Sequence, residues 1–300
     1  MRLAPSGTRL AWLLPAVALA AGTWVVAEQP PVVTSIELVR RAVQNEIKAS
    51  NDTASYMFKE RKETPRGSQT RLMVETRDAM AAMLVAINGQ PLTPEQREAE
   101  NARIQGFLND PDELRRKHKR EKEDAERVTR IVKALPDAFL YEYDGSEVGK
   151  PGVGKPEHQL VRLRFRPNPK YDPPSRVEQV LTSMQGSILI DATKDRIAEI
   201  NGTLAKDVGF GWGILGHLDR GGHFLVEQGD VWNGYWEITH MDLAITGKVL
   251  FFKSINMKST EVYSDFRPVP SNLTFAQGVE LLKKQEATLA ENRQQSGEDK

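Results

Sequence analysis

The first regular pattern of apolar residues after position 30 has the period of a helix. Ile36, Val39, Val43 and Ile47 recur at intervals of three and four residues, which places them on one helix face. A Thr-x-x-Glu capping pattern begins at Thr34, directly before them. The pattern therefore predicts one amphipathic helix that ends near residue 51.

Strand patterns and further helices follow in a fixed order. Strands are predicted at residues 54–60, 69–76 and 79–87, and a turn at residues 88–91 closes this ribbon. Two helices are then predicted within residues 93–135, the first ending near residue 108. The charges of the second helix alternate in sign, which favours a solvated face over a partner-binding patch.

From residue 136 onward the chain is dominated by short strand patterns. Val161, Leu163 and Phe165 alternate with arginines, which is typical of a half-buried strand. The other strand candidates are residues 139–144, 187–191, 196–204, 208–218, 223–228, 235–244, 248–253 and 257–266. Because their connections are short, antiparallel pairing is expected. The order predicts an α+β fold with a curved antiparallel sheet covered by helices.

Residues 208–218 allow two incompatible interpretations. Residues 211–216 fit the GxGxxG fingerprint of a dinucleotide site, which needs a long helix directly after the motif. The glycine pair at residues 221–222 leaves no room for that helix. Phe210, Trp212 and Ile214 instead alternate with glycines, which favours one bent strand with one bulky face.

Two other motif matches fail on their context. Residues 149–155 fit GxxxxGK, but Pro156 stands where a phosphate-binding loop needs Ser or Thr. His217, His223 and His240 have no spacing typical of a metal site. We therefore predict no cofactor, no metal and no catalytic residue.

The candidate site is an apolar face of the curved sheet. Bulky residues on neighbouring strands supply apolar surface, and glycines between them permit bending. The alternative is that these side chains form ordinary core. The candidate residues are Phe210, Trp212, Ile214, Phe224, Val226, Trp236 and Ile238.

The N-terminus has the layout of a secretory signal. Two arginines precede an apolar run at residues 10–26, and the run ends in small residues before Glu28. An uncleaved anchor is the alternative, but Pro15 and Gly22 interrupt a run that is short for a bilayer span. We predict a signal peptide over residues 1–27, cleavage near Ala27, and a periplasmic or secreted protein without a stable membrane anchor.

Composition narrows the function further. Lys and Arg total 41 and Asp and Glu total 41, so no net charge attracts nucleic acid. The chain has no cysteine, which excludes disulfides, thiolate metal sites and a lipid-bearing cysteine. Nucleic acid is therefore not an expected partner.

The order of a signal segment, a helix, a ribbon, a helical insertion and a long antiparallel run resembles LolA-like exported proteins of Gram-negative bacteria, the outer-membrane lipoprotein-sorting type. Residues 186–191, 196–200 and 229–236 are also similar to uncharacterised bacterial exported proteins. The resemblance implies an incomplete β-barrel plugged by helices. Its expected organisation is a single domain at residues 28–270 with a helical insertion at 93–135, then a C-terminal helix and disordered tail at 271–300.

The resemblance implies a soluble periplasmic carrier or binding protein for a lipid or lipoprotein acyl chain, without enzymatic activity. An alternative of another class is an envelope interaction or sensor protein, which would bind a protein partner through the sheet edge or the charged helix at residues 111–135. A hydrolase whose catalytic residues form no recognisable motif is a third possibility.

Overall fold

The computed structural model describes residues 33–50, 54–210, 216–249 and 253–298. The predicted signal peptide and its cleavage position lie outside the described residues, as do Trp212 and Ile214. None of the described helices is both long enough and apolar enough to cross a membrane.

The described ranges contain five α-helices, thirteen strands and one short 3-10 helix at Val180–Ser183. The helices are Ser35–Ala49 (α1), Pro94–Asn109 (α2), Pro111–Ala138 (α3), Arg176–Gln179 (α4) and Phe275–Glu298 (α5). The strands are Ser55–Thr64 (β1), Gly67–Val74 (β2), Ala81–Ile87 (β3), Gln90–Pro91 (β4), Phe139–Val148 (β5), Gln159–Pro167 (β6), Met184–Asp191 (β7), Arg196–Leu204 (β8), Val208–Phe210 (β9), Gly216–Leu218 (β10), His223–Trp232 (β11), Tyr235–Val249 (β12) and Lys253–Val269 (β13).

All strands belong to one antiparallel sheet, and its order is β4-β3-β2-β1-β13-β12-β11-β8-β7-β6-β5. The last strand, β13, pairs with β1, so the N-terminal ribbon joins the C-terminal half of the chain. Within the described residues the edge strands β4 and β5 do not pair with each other. The predicted fold class, an α+β fold with a curved antiparallel sheet that is not closed into a barrel, is confirmed.

The prediction of one bent strand over residues 208–218 is wrong. β9 and β10 pair antiparallel with each other, with Phe210 opposite Gly216 and Val208 opposite Leu218. β10 then pairs with the far end of β12. Alternation of large residues with glycine indicates strand conformation, but two paired strands and one long strand share this period.

Two apolar cores lie at the two ends of the sheet. The first core joins α1 and the C-terminal half of α3 to β5–β8, with Val39, Leu163 and Ile188 almost fully buried. The second core joins α2 and α5 to β2 and β3, with Val74, Ile104 and Leu282 almost fully buried.

Cross-strand pairs show that these cores lie on opposite faces of the sheet. Directly opposed residues share a face, and one such row consists of Ile188, Ile200, Val226, Met241, Glu261, Lys62 and Gln69. Ile188 is buried in the first core, so this is the face that α1 covers, here called the α1 face. Leu72 lies three positions after Gln69, so it points to the other face, where it is buried in the second core.

Sheet twist explains how α3 contacts both cores. Leu114 packs against the second core and Ile131 against the first. Five steps between neighbouring strands separate β2 from β8. Adjacent strands rotate by ~20°, so these steps turn the sheet by roughly 100°. The α1 face at the β8 end and the opposite face at the β2 end therefore point in similar directions, so that α3 can contact both cores.

Candidate functional site

The strands β11, β12 and β13 lie between the two helix-covered ends. The described helices pack mainly against β2, β3, β5, β7 and β8, and they reach β11 and β13 through side-chain hydrogen bonds such as Gln228–Glu46 and Arg267–Gln285. β13 has 17 residues. Among those whose exposure is described, only Glu261 is buried. Within the described residues, the middle of the sheet therefore has less helical cover than its ends.

The α1 face of these strands is nevertheless apolar. Met241, Leu243 and Ile245 alternate along β12 with residues of the other face, among them His240 and Asp242. Cross-strand neighbours extend this row into a continuous surface, here called the apolar stripe. Its members are Val226, Met241, Leu243, Ile245, Ile255 and Met257.

Exposure of the stripe is unusual for the centre of a sheet. Five of its six members are half-buried, and Met257 is 54% exposed. Contiguous apolar surface that is exposed to solvent, as the stripe is within the described part of the chain, is typical of binding sites. The stripe is therefore the candidate functional site.

Phe224 and Val226 of the predicted site lie together on the α1 face. Val226 belongs to the stripe and opposes Met241. Phe224 packs against the first core, and its ring lies over Gly202, where an added Cβ would be 2.4 Å from Cε1. Phe224 therefore marks the border between the first core and the stripe.

The other predicted site residues lie elsewhere or outside the described ranges. Trp236 is buried with Leu160, Leu189 and neighbouring residues in a small third cluster, 5.4 Å from the Arg196 guanidinium. Ile238 is 37% exposed and lies beyond a bulge in the pairing of β11 with β12. Phe210 ends β9, and its side chain is outside the described part. Trp212 and Ile214 are outside it entirely.

A charged network borders the stripe on the side of β1. Lys62 pairs with Glu261 at 2.5 Å, and Arg71 pairs with Glu60 at 3.1 Å. The Tyr263 hydroxyl donates to Glu261 at 2.6 Å. Burial raises the pKa of Tyr263, and the adjacent Glu261 carboxylate raises it further. Both carboxylates are buried, so they hold the two cations in fixed positions.

A second group of carboxylates consists of Glu75, which follows β2 beside Tyr56 of β1, and Glu237 of β12. Burial raises the pKa of Glu75 to about 7, the charge of Glu237 adds to this, and a hydrogen bond from the Tyr56 backbone N–H at 2.8 Å opposes it. Burial also raises the pKa of Glu237. Carboxylates with raised pKa values can transfer protons. Sequence reasoning missed them because the two glutamates are far apart along the chain.

Glu46 anchors α1 beside this group. Its carboxylate accepts hydrogen bonds from Arg196 at 2.8 and 3.0 Å, from the Ile197 backbone N–H at 2.9 Å and from Gln228 at 2.9 Å. One side chain of α1 therefore binds both β8 and β11. These hydrogen bonds of Glu46 attach α1 to the sheet.

The partly buried His158 pairs with Asp191, whose carboxylate is fully buried. His158 Nδ1 lies 2.8 Å from Asp191, whose carboxylate also accepts from the backbone N–H groups of Thr193 and Lys194. Asp191 therefore caps the turn after β7 and fixes the histidine. Across the described ranges, no group of three or more His, Cys, Asp or Glu residues is arranged to hold a metal ion.

Comparisons with known proteins extend this description only slightly. No family model matches the chain, and no curated protein does. One similar solved structure is a DUF1329 family protein from Desulfovibrio piger ATCC 29098. It is 11% identical, and the alignment covers 80% of this chain and 94% of that one with a TM-score of 0.26. This likeness is too weak to support an argument, and membership of the LolA-like superfamily stays a prediction.

Proposed function

We propose that this chain is an exported, non-enzymatic binding protein that holds the acyl chain of a lipid or lipoprotein on the apolar stripe. The observation that supports this most is a half-buried apolar surface in the middle of the sheet, left uncovered by the described helices. An acyl chain needs apolar contact and offers no polar group, and the stripe provides such a surface.

The size of the stripe suits a ligand of this kind. Strands rise by about 3.4 Å per residue, so residues 241–245 alone extend over roughly 14 Å. Burial of about ten methylene groups would contribute on the order of 8 kcal/mol before the costs of association. Net affinity in the micromolar range or weaker is therefore expected, which suits a carrier that must release its ligand.

The predicted export signal supports a role between membranes. An acyl chain cannot cross an aqueous compartment unprotected, because its exposed surface is unfavourable in water. A periplasmic protein with an apolar binding surface would shield the chain during transfer. Lipid transfer or lipoprotein handling in the envelope is the process that we propose.

A matched pair of variants on β13 tests the stripe. Met257 lies on the stripe, whereas Val262 is 40% exposed on the opposite face of the same strand. After lipid removal, Met257→Asp should weaken binding of a fluorescent fatty acid about tenfold, because a carboxylate would lie beside the acyl chain. Val262→Asp should leave this affinity unchanged. Equal effects of the two variants would contradict the proposal.

Native mass spectrometry provides an independent test of ligand class. Protein purified from the bacterial envelope should retain lipid that organic solvent extracts. If the protein is empty and also fails to bind the fatty acid, the proposal is wrong.

A further inference from the structure

We infer that a basic cleft at the tip of the β1–β2 hairpin binds the anionic headgroup of the ligand, so that the bound molecule is an amphiphile with a phosphate or similar anion. This inference rests on the proposed function, because the acyl tail is assigned to the apolar stripe. The cleft has a volume of about 730 Å³. It lies between the hairpin and β13.

The lining of the cleft has charge of one sign. Lys62, Arg66, Arg71 and Lys258 all line it. Its fourteen lining residues are all within the described ranges, and none of them is Asp or Glu. A cleft with cations and no lining carboxylate attracts anions, since low-dielectric walls focus the field.

The four cations divide into two pairs with different environments. Lys62 and Arg71 are held by the buried carboxylates Glu261 and Glu60. Arg66 and Lys258 are exposed and form no ion pair with any residue in the described part of the chain. Lys258 alternates along β13 with Met257 and Ser259, so its side chain lies on the face opposite the stripe. Arg66 is therefore the cation without a protein counterion that can contact a ligand of the stripe. Arg66 can also bind phosphate or carboxylate oxygens through two N–H groups at once.

The hairpin backbone is shaped by a close contact inside the cleft. Asn88 Oδ1 accepts from the Ser68 backbone N–H at 2.8 Å, so the amide nitrogen remains as a donor. Gly67 has a φ of 121°, and a Cβ there would lie 2.4 Å from Asn88 Oδ1. Glycine thus permits the turn that brings Asn88 against the hairpin, beside Arg66.

The cleft and the stripe are continuous at one residue. Met257 lines the cleft and also opposes Ile245 within the stripe. Ser259, two positions further along the same face, is another lining residue. An amphiphile with its tail on β12 would therefore place its headgroup beside Lys62, Arg66 and Arg71.

Binding of dodecyl phosphate, dodecanol and inorganic phosphate to the delipidated full chain tests this inference. The wild type should bind dodecyl phosphate about tenfold more tightly than dodecanol, and added salt should reduce the difference, since exposed charges are screened. The variant Arg66→Gln should lose most of this preference and keep its affinity for dodecanol. The control Arg61→Gln/Lys248→Gln removes two cations from the face opposite the stripe and should keep the preference.

The outcomes separate this inference from the proposed function. If dodecanol binds but Arg66→Gln retains the full preference for dodecyl phosphate, the headgroup site is wrong and the stripe is not affected. If inorganic phosphate binds as tightly as dodecyl phosphate and dodecanol does not bind, the site is one for free phosphate, and both proposals are overturned. Melting curves of Arg66→Gln and of the control should match the wild type, because all three substituted side chains are exposed.

Discussion

Glu75 is a buried acid whose charge opposes folding. Its pKa is about 7 in the folded chain and 4.5 without the protein environment, so between these pH values only the folded state keeps the proton. The contribution of Glu75 to stability is therefore most favourable below about pH 4.5, falls as pH rises towards 7 and levels off above it. Glu75→Gln should remove this contribution to the pH dependence, and at about pH 8 it should stabilise the protein by about 3 kcal/mol.

Urea unfolding of both proteins across this pH range measures the effect of Glu75. Near pH 4 the wild type and Glu75→Gln should have similar free energies of unfolding. Parallel pH profiles would show that Glu75 is ionised in the folded protein at the same pH as in the unfolded chain.

Substitution of glycine by alanine is expected to have opposite effects on stability at two positions. Gly202→Ala would place a Cβ against the Phe224 ring and should destabilise the fold by about 1–3 kcal/mol, because the ring at the border of the stripe must move. Gly106→Ala lies in α2, where a Cβ would be 3.6 Å from the nearest atom outside the helix. It should stabilise by about 0.5–1 kcal/mol through helix propensity. Thermal unfolding measures both, and a shift of the same sign would contradict the packing described.

At the scale of elements, Glu46 is expected to hold α1 on the sheet. Glu46→Ala would leave Arg196 buried without its partner and should cost about 3 kcal/mol. The control Asp112→Ala removes a highly exposed partner of Arg115 on α3 and should change stability by less than about 0.5 kcal/mol. Guanidinium unfolding compares the two, and a small loss for Glu46→Ala would mean that apolar packing alone positions α1.

The helices were predictable because their signals are local. Thr34 accepts from the Glu37 backbone N–H at the start of α1, and Thr93 forms a complete capping box at the start of α2. The end of α3 was less predictable, since the helix continues past Pro136 to Ala138. A proline in the last turn loses one hydrogen bond, and the contacts of Leu135 and Ala138 in the first core offset this loss.

The charged surface of α3 bears on the alternative role as an interaction or sensor protein. Lys117 pairs with Glu121 and Arg127 pairs with Asp124, both within the helix. Charges satisfied inside one helix agree with the predicted solvated face. A protein partner for this helix stays a prediction, and deletion of residues 115–126 followed by partner pull-down would test it.

At the scale of the whole molecule, the position of the candidate site depends on long-range pairing. β1 pairs with β13 across about two hundred residues, and this pairing places Lys62 beside Glu261 and the stripe beside the cleft. Local periodicity identifies strands but carries no information about which distant strands pair. The sequence therefore predicted the curved sheet, and it predicted Val226 as a site residue. It did not predict the uncovered strands, since exposure depends on where the helices pack.

The most direct test of the account is to map where an acyl chain contacts the protein. A photoactivatable fatty acid bound to the delipidated chain should crosslink mainly to β12 and β13 peptides that contain Met241, Leu243, Ile245 and Met257, and excess unlabelled fatty acid should suppress these adducts. Crosslinks confined to other elements, or equal labelling with and without competitor, would contradict the assignment of the stripe as the binding surface.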